Sequence, residues 1–322
     1  MTSRQIPIHS GFGAASTAAE VLAGRDLSGT LALVTGGHSG LGLEATRALA
    51  QAGAQVIVTA RDVATAQAST YGIAGVEVQQ LDLSDLLSVK DLAQRVLGSG
   101  RHLDILIANA GVMACPEGRV GPGWERQLAT NHLGHYVLVN ELWPALEGGA
   151  RVVVLSSAGH QQSAMRWDDV QFTRGYDKWA AYGQSKTANA LFAVHLDRLG
   201  RHAGVRAFAV HPGKIFTPLQ RHLVQGEMIA AGWLDASGQP ADPSFKTPQQ
   251  GAATQVWAAT SPQLEGMGGL YCEDCDIASL DEREPPSFVG VRSYAIDPGQ
   301  AERLWTLSGQ LTGVDALVGG RP

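Results

Sequence analysis

Three cysteines in 322 residues are too few for a disulfide framework and fit a reducing cytoplasm, where this chain is expected to reside. No stretch approaches the roughly 20 consecutive apolar residues that a bilayer span needs, so no membrane span is expected. The polar N-terminal start carries no apolar signal core, and export is not expected either. Basic residues number 24 against 30 acidic ones, a formal net charge of −6. With no dense Lys/Arg run, that balance argues against broad nucleic-acid binding. Metal chemistry lacks a ligand set: Cys272 and Cys275 form one C-x-x-C pair, no second pair exists, and Cys115 is far away in sequence. The pair is expected to be two structural thiols near a strand end, and no metal site is assigned. Repeats of solenoid length are absent.

What the chain has is alternation. Leu31–Val34, Gln55–Ala60, Val76–Leu81, Leu103–Ala108, Arg151–Leu155, Val205–Val210 and Gly268–Cys272 are short aliphatic runs that read as buried strands. Between them Leu41–Ala52, Leu86–Leu97, Trp124–Leu146 and Trp179–Leu199 carry helical spacing, with Gln249–Ala259 and Leu304–Leu311 as later helices and a mobile tail after the last. Such alternation predicts an α/β fold, a parallel sheet with helices on both faces. Residues 1–27 read as an N-terminal arm with a short helix over Thr17–Leu22. Residues 28–275 form the main domain, and 276–322 are a C-terminal extension packing on it. Between about 213 and 247 any period is interrupted, yet apolar residues persist, which suits a lid over a substrate.

Three features carry chemistry. Thr35-Gly36-Gly37-His38-Ser39-Gly40-Leu41-Gly42 joins a strand to a helix, where glycines admit a pyrophosphate and the helix N-terminus offers free N–H groups. Ser156 and Ser157 end a buried strand and point to opposite sides of it. Tyr182 and Lys186 lie four residues apart on one helix face. A cation beside a phenol, whose unperturbed pKa is about 10, favours the phenolate and brings proton exchange toward neutral pH. Any one of these occurs by chance as a tight turn or a solvated pair.

In this order, together with Asp82-Leu83, Asn109-Ala110-Gly111, Asn131 and Pro212-Gly213, they resemble the short-chain dehydrogenase/reductase family over about residues 28–275. The wording of residues 151–160 and 182–189 is similar to its retinol-dehydrogenase-like and WW-domain-oxidoreductase-like branch. The resemblance implies a single-domain, doubly wound, Rossmann-type parallel sheet of about seven strands. It also implies a nicotinamide cofactor held by Gly36, His38, Ser39, Gly40, Leu41 and Gly42, with Asp82 and Leu83 at the adenine and Asn109, Ala110 and Gly111 beside the adenosine ribose. Pro212, Gly213, Ile215 and Thr217 would lie by the nicotinamide. At the end of the second strand, Ala60 stands where a carboxylate would select NAD, and Arg61 follows with a guanidinium suited to a 2′-phosphate. NADP is therefore the expected cofactor, with NAD left open.

By the same resemblance Tyr182 is the general acid/base and Lys186 lowers its pKa and bonds the nicotinamide ribose. Ser157, rather than Ser156, holds the substrate oxygen, and Asn131 supports a water linking Lys186 to solvent. No catalytic role is assigned to His38, His160 or His211. The extra segment His160–Lys178, with Trp167, Phe172 and Tyr176, is expected to shape the substrate entrance. The implied activity interconverts an alcohol and a carbonyl compound, with a hydrophobic small molecule as substrate. A homodimer or homotetramer is implied through the helices at 124–146 and 179–199. A nucleotide-sugar epimerase or dehydratase uses a similar Tyr/Lys pair, but the turn spacing and the lack of a larger C-terminal substrate region argue against it. A non-catalytic dinucleotide-binding regulator would be favoured by loss of Tyr182 or Lys186, and both are present.

Overall fold

Continuous aliphatic runs become the strands of one sheet, because strands covered by helices on both faces need no polar alternation. The computed structural model describes residues 4–317; residues 1–3 and 318–322, the ends of the expected arm and extension, lie outside the described residues. The strands are β1 Leu31–Thr35, β2 Gln55–Ala60, β3 Val76–Gln80, β4 Ile105–Ala108, β5 Ala150–Leu155, β6 Val205–His211, β7 Leu270–Glu273 and β8 Asp276–Ile277. Their order is β8-β7-β6-β5-β4-β1-β2-β3, parallel throughout except for the antiparallel β7–β8 pair. At the centre Leu33 pairs with Ile57 on one side and Leu106 on the other. The eighth strand, beyond the seven expected, is a short return after the turn Asp274-Cys275, both in left-handed backbone. Cys272 and Cys275 flank that turn as free, buried thiols, and burial pushes both thiols well up.

Two apolar layers clothe the sheet. One gathers Leu33, Ile57, Leu106, Val152 and Val154 against helices Leu86–Gly98, Gly134–Glu141 and Lys178–Gly200. The other gathers Val34, Val58, Ile107, Val153 and Phe208 against helices Gly40–Gln51 and Ala253–Thr260. The N-terminal helix Ala18–Val21, closed by a Thr17/Glu20 capping box, packs on this second layer.

Several expectations change. Residues 124–146 are not one long helix: strand Trp124–Glu125 and a short turn lead into a π-helical turn, Ala129–Leu133, followed by helices Gly134–Glu141 and Trp143–Leu146. Glu125, buried, accepts from the Gln127 and Leu128 N–H groups, which caps the helical stretch that begins at Arg126. Helix Val63–Thr70 was not anticipated; Asp62 caps it by accepting from Thr65 N–H. The last helix, Pro298–Thr312, starts six residues early. The expected tail is held through residue 317: Tyr136 Oη donates to the Val314 carbonyl, and Ala316 N–H to Asn140 Oδ1.

That last helix lies along Lys178–Gly200. Trp305 stacks on Phe192 (5.8 Å) and His195 (5.2 Å), and His132 Nε2 meets Ser308 Oγ at 2.7 Å. One face of helix Lys178–Gly200 is thus covered by the last helix. No helix among the described residues is long and apolar enough to cross a membrane.

Trp257 is wholly buried in the second layer. Trp257→Ala should lower the unfolding free energy by about 3–5 kcal/mol, read from denaturant titration; a loss under about 1 kcal/mol would show that this layer does not bear on stability.

Candidate active site

The carboxyl ends of the strands open into one cavity of about 1720 Å³. Crevices at this edge, where crossovers leave in opposite directions, are where open α/β sheets take ligands. The turn after β1 builds its floor. A β-carbon on Gly42 would stand 2.4 Å from the Gly36 carbonyl oxygen and 2.6 Å from Asn109 Nδ2, so the helix can start this close only with glycine there. Gly36 itself sits at φ +65°. Asn109 Nδ2 donates to the Thr35 carbonyl (2.8 Å) and Ala110 N–H to Thr35 Oγ1 (3.0 Å), which lock β4 to the same turn. Helix Gly40–Gln51 begins without a side-chain cap at Ser39, so its N–H groups and positive end face the cavity unspent. His38 lies in the turn with a buried Nδ1 that has no partner, and burial holds its pKa below the usual value. A glycine cradle, an uncapped helix N-terminus and an orphaned imidazole nitrogen together fit the diphosphate of a dinucleotide.

On the far wall, helix Lys178–Gly200 begins at the Asp177 cap and carries Tyr182 and Lys186 into the cavity. Their relative exposures are only 4% and 5%, which sets their chemistry. Lys186 Nζ donates to the Leu155 carbonyl (2.8 Å) and lies 5.7 Å from the Tyr182 ring centre. Burial brings the Lys186 ammonium down to about 7. Burial also pushes the Tyr182 phenol up to about 12, against a hydrogen bond with Ser157 that pulls it down. Burial thus drives both groups toward their neutral forms, and the phenol is raised where proximity to the ammonium had led to an expected lowering.

Ser157 accepts from Gly159 N–H (3.0 Å) and faces the cavity. Ser156 turns the other way and donates to the Lys186 carbonyl (2.8 Å). Gly159 leaves room for the Tyr182 ring, whose Cε1 would be 2.8 Å from a β-carbon there.

Of the residues singled out from sequence, Gly36, His38, Ser39, Gly40, Leu41, Arg61, Asp82, Leu83, Asn109, Ala110, Gly111, Ser157, Tyr182, Lys186, Pro212, Gly213, Ile215 and Thr217 line this one cavity. Gly42 and Asn131 stand behind its wall. Asn131 occupies the π-helical turn, accepts from Val112 N–H (2.8 Å) and donates to the Val112 carbonyl and Ser185 Oγ (both 2.9 Å). Its backbone carbonyl meets His135 Nδ1 at 3.0 Å. Arg61 is exposed at the rim, and its neighbour Asp62 is spent on Thr65, leaving the guanidinium without that partner. Asp82 Oδ1 accepts from Ser84 N–H and Oγ.

The short chain dehydrogenase family profile matches residues 30–228. The chain is 45% identical to a "Probable oxidoreductase" of Streptomyces lividans over 92% of this chain and all of that one. It is 36% identical to Retinol dehydrogenase 12 of Mus musculus, over 89% and 88% of the two chains. Among solved structures, the Pseudomonas aeruginosa RhlG complex with NADP superposes with a TM-score of 0.59 at 25% identity, covering 77% of this chain and 95% of that one. The chain belongs to the short-chain dehydrogenase/reductase family. It falls with the retinol-dehydrogenase-like members, and it is an oxidoreductase of Rossmann fold.

Within that family frame, other lining residues had been given no catalytic or cofactor role. His211 accepts from Ala158 N–H (3.1 Å) and Gly213 N–H (3.5 Å), tying the serine loop to the Pro212-Gly213 corner, and burial keeps it neutral with a pKa of about 3. Met113, Trp179, Leu219 and Trp233 pack around Tyr182 as an apolar cluster, with Trp179 edge-on to Tyr182 (6.4 Å) and to Trp233 (6.2 Å). They come from four segments, and only folding brings them together. Conversely, Trp167, Phe172 and Tyr176 do not shape the entrance. Trp167 lies under the Arg303 guanidinium, and Tyr176 Oη donates to the Cys115 carbonyl (3.0 Å), so these aromatic residues pack away from the cavity, while Gln162 of the same segment lines it.

A lysine with a folded pKa near 7 and an unfolded one near 10.5 binds fewer protons when folded between those values, so its contribution to stability rises with pH across that window. The melting temperature of the wild type minus that of Lys186→Met should therefore increase from pH 7 to pH 10. A flat difference would mean that Lys186 keeps an ordinary pKa.

Proposed function

We propose that this protein interconverts an alcohol and its carbonyl partner by hydride transfer, preferring NADP(H), with Tyr182 as the general acid/base. The observation that carries the reading is the convergence of half-buried Ser157 with buried Tyr182 and Lys186 on the cavity that the glycine turn opens.

The nicotinamide, when bound, supplies or accepts the hydride. The chain does the rest. Ser157 and Tyr182 present two hydroxyls to the substrate oxygen, and Tyr182, fully protonated at neutral pH, donates its proton there as carbonyl becomes alcohol. With a pKa of about 7, Lys186 can carry a proton or give it up at that pH, which suits it to restoring the Tyr182 phenol. Asn131 holds the loop at Val112 and the Ser185 hydroxyl, keeping the lysine helix in register with the cavity wall.

Arg61 supports NADP(H): it stands at the end of β2 where Ala60 offers no carboxylate, and Asp62 does not neutralise it. The substrate reading rests on Met113, Trp179, Leu219 and Trp233 around Tyr182, which favour a substrate with an apolar body.

Tyr182→Phe should lower kcat for ketone reduction by about a hundredfold or more while NADPH affinity stays near that of the wild type; retained turnover would remove Tyr182 from proton transfer. Arg61→Asp should shift the kcat/KM ratio of NADPH over NADH toward NADH by about tenfold or more, and an unchanged ratio would take Arg61 out of phosphate recognition.

A further inference from the structure

Behind the turn that carries Ser157 stands a histidine for which the mechanism above has no use. His160 is wholly buried, in back of the lining residues Ser157, Ala158, Gly159 and Gln162. Its backbone N–H donates to the Ser157 carbonyl (2.9 Å), and its ring Nδ1 meets the same oxygen at 2.7 Å. At the other edge of the ring, Nε2 accepts from the Arg292 N–H (3.1 Å). A carbonyl only accepts and a backbone N–H only donates, so the proton sits on Nδ1 and Nε2 presents its lone pair. Burial agrees with that neutral form, holding the ring at a pKa of about 4.

Arg292 belongs to the C-terminal extension, outside the residues that the family profile matches. That extension grips the serine turn at three further points. Tyr294 Oη donates to the His160 carbonyl (2.7 Å). Gln161 Oε1 accepts from the Phe288 N–H and its Nε2 donates to the Val289 carbonyl (both 2.9 Å). The extension is anchored in turn. The buried Arg292 guanidinium donates to the Arg283 carbonyl (2.6 Å) and pairs with Glu284 (3.1 Å). Gly290 N–H meets both carboxylate oxygens of Glu273, at the end of β7 (2.9 and 3.0 Å). Ser157 is therefore held from the cavity side by Gly159 N–H and from behind by His160.

We propose that His160 is a positioning residue: its Nδ1–H fixes the Ser157 carbonyl, and with it the aim of the Ser157 hydroxyl at the substrate oxygen, while its Nε2 joins the C-terminal extension to the frame of the active site. This rests on the alcohol–carbonyl reading above and adds a residue to it. A displacement of about 1 Å at a reacting group costs on the order of a hundredfold in rate, so a ring that touches no substrate still bears on turnover.

Two substitutions separate the edges of the ring. His160→Asn sets an amide N–H near Nδ1 and gives up Arg292; His160→Gln reaches the place of Nε2 and gives up the Ser157 carbonyl. With acetophenone and saturating NADPH, His160→Gln should lower kcat by about tenfold or more. His160→Asn should stay within about threefold of the wild type, and both should keep wild-type NADPH affinity. A ring that merely secures the extension predicts the reverse order. That order, equal losses, or no loss in either variant would overturn the proposal. Nitrogen magnetic resonance of wild-type protein labelled in its histidine rings gives a readout independent of turnover and of how the variants fold. The His160 ring, recognised by its contact with the Tyr271 ring (5.1 Å), should carry its proton on Nδ1 and none on Nε2 near pH 7. A proton on Nε2 there would also overturn the proposal. A wild type that gives the expected spectrum yet reduces no ketone keeps His160 as the anchor of Ser157 and loses the hydride-transfer reading.

Discussion

Desolvation of Tyr182 and Lys186 is the constraint around which the rest of the molecule is arranged. A phenol and an ammonium taken out of water both drift toward their neutral forms, and here burial is the largest influence on each. The result is a proton held firmly on the phenol beside an amine that exchanges near neutrality. Keeping this pair dry takes the whole far wall: helix Lys178–Gly200 is buried along most of its length, and Trp179, Leu219 and Trp233 close over the ring.

The opposite wall works by absence. Gly36 and Gly42 remove side chains where the backbone must fold back on itself, and the helix behind them starts with its N–H groups unspent. One wall fits a phosphate and the other carries Ser157, Tyr182 and Lys186, and Asn109 and Ala110 tie the end of β4 to the first wall through Thr35. Residues 213–247 supply the third side, folded on themselves by the pairing of Lys214-Ile215 with Phe245-Lys246 and the Lys214–Asp242 ion pair, and tied to helix Lys178–Gly200 by the Lys178–Glu227 ion pair.

What could be read from the sequence followed from short-range rules. Strands β1 to β7 announce themselves as aliphatic runs, and the glycine turn is legible because its spacing lies within eight residues. Adjacent strand residues face opposite ways, which alone leaves Ser156 and Ser157 open; the family resemblance favours Ser157, and the structure turns the Ser156 hydroxyl to the Lys186 carbonyl. The direction of the Tyr182 shift was not legible, since proximity along a helix says nothing about how much water reaches either group. Nor was the break in residues 124–146, where a buried glutamate and a π-helical turn override a good helical pattern.

Nuclear magnetic resonance of protein labelled at the lysine ε-carbon measures the central quantity directly. Titrated in the protein without ligand, the Lys186 signal should change with a midpoint near pH 7, well apart from the other lysines. A midpoint close to the ordinary lysine value of about 10.4 would mean that the ammonium stays charged, and that dehydration does not set the chemistry of this site.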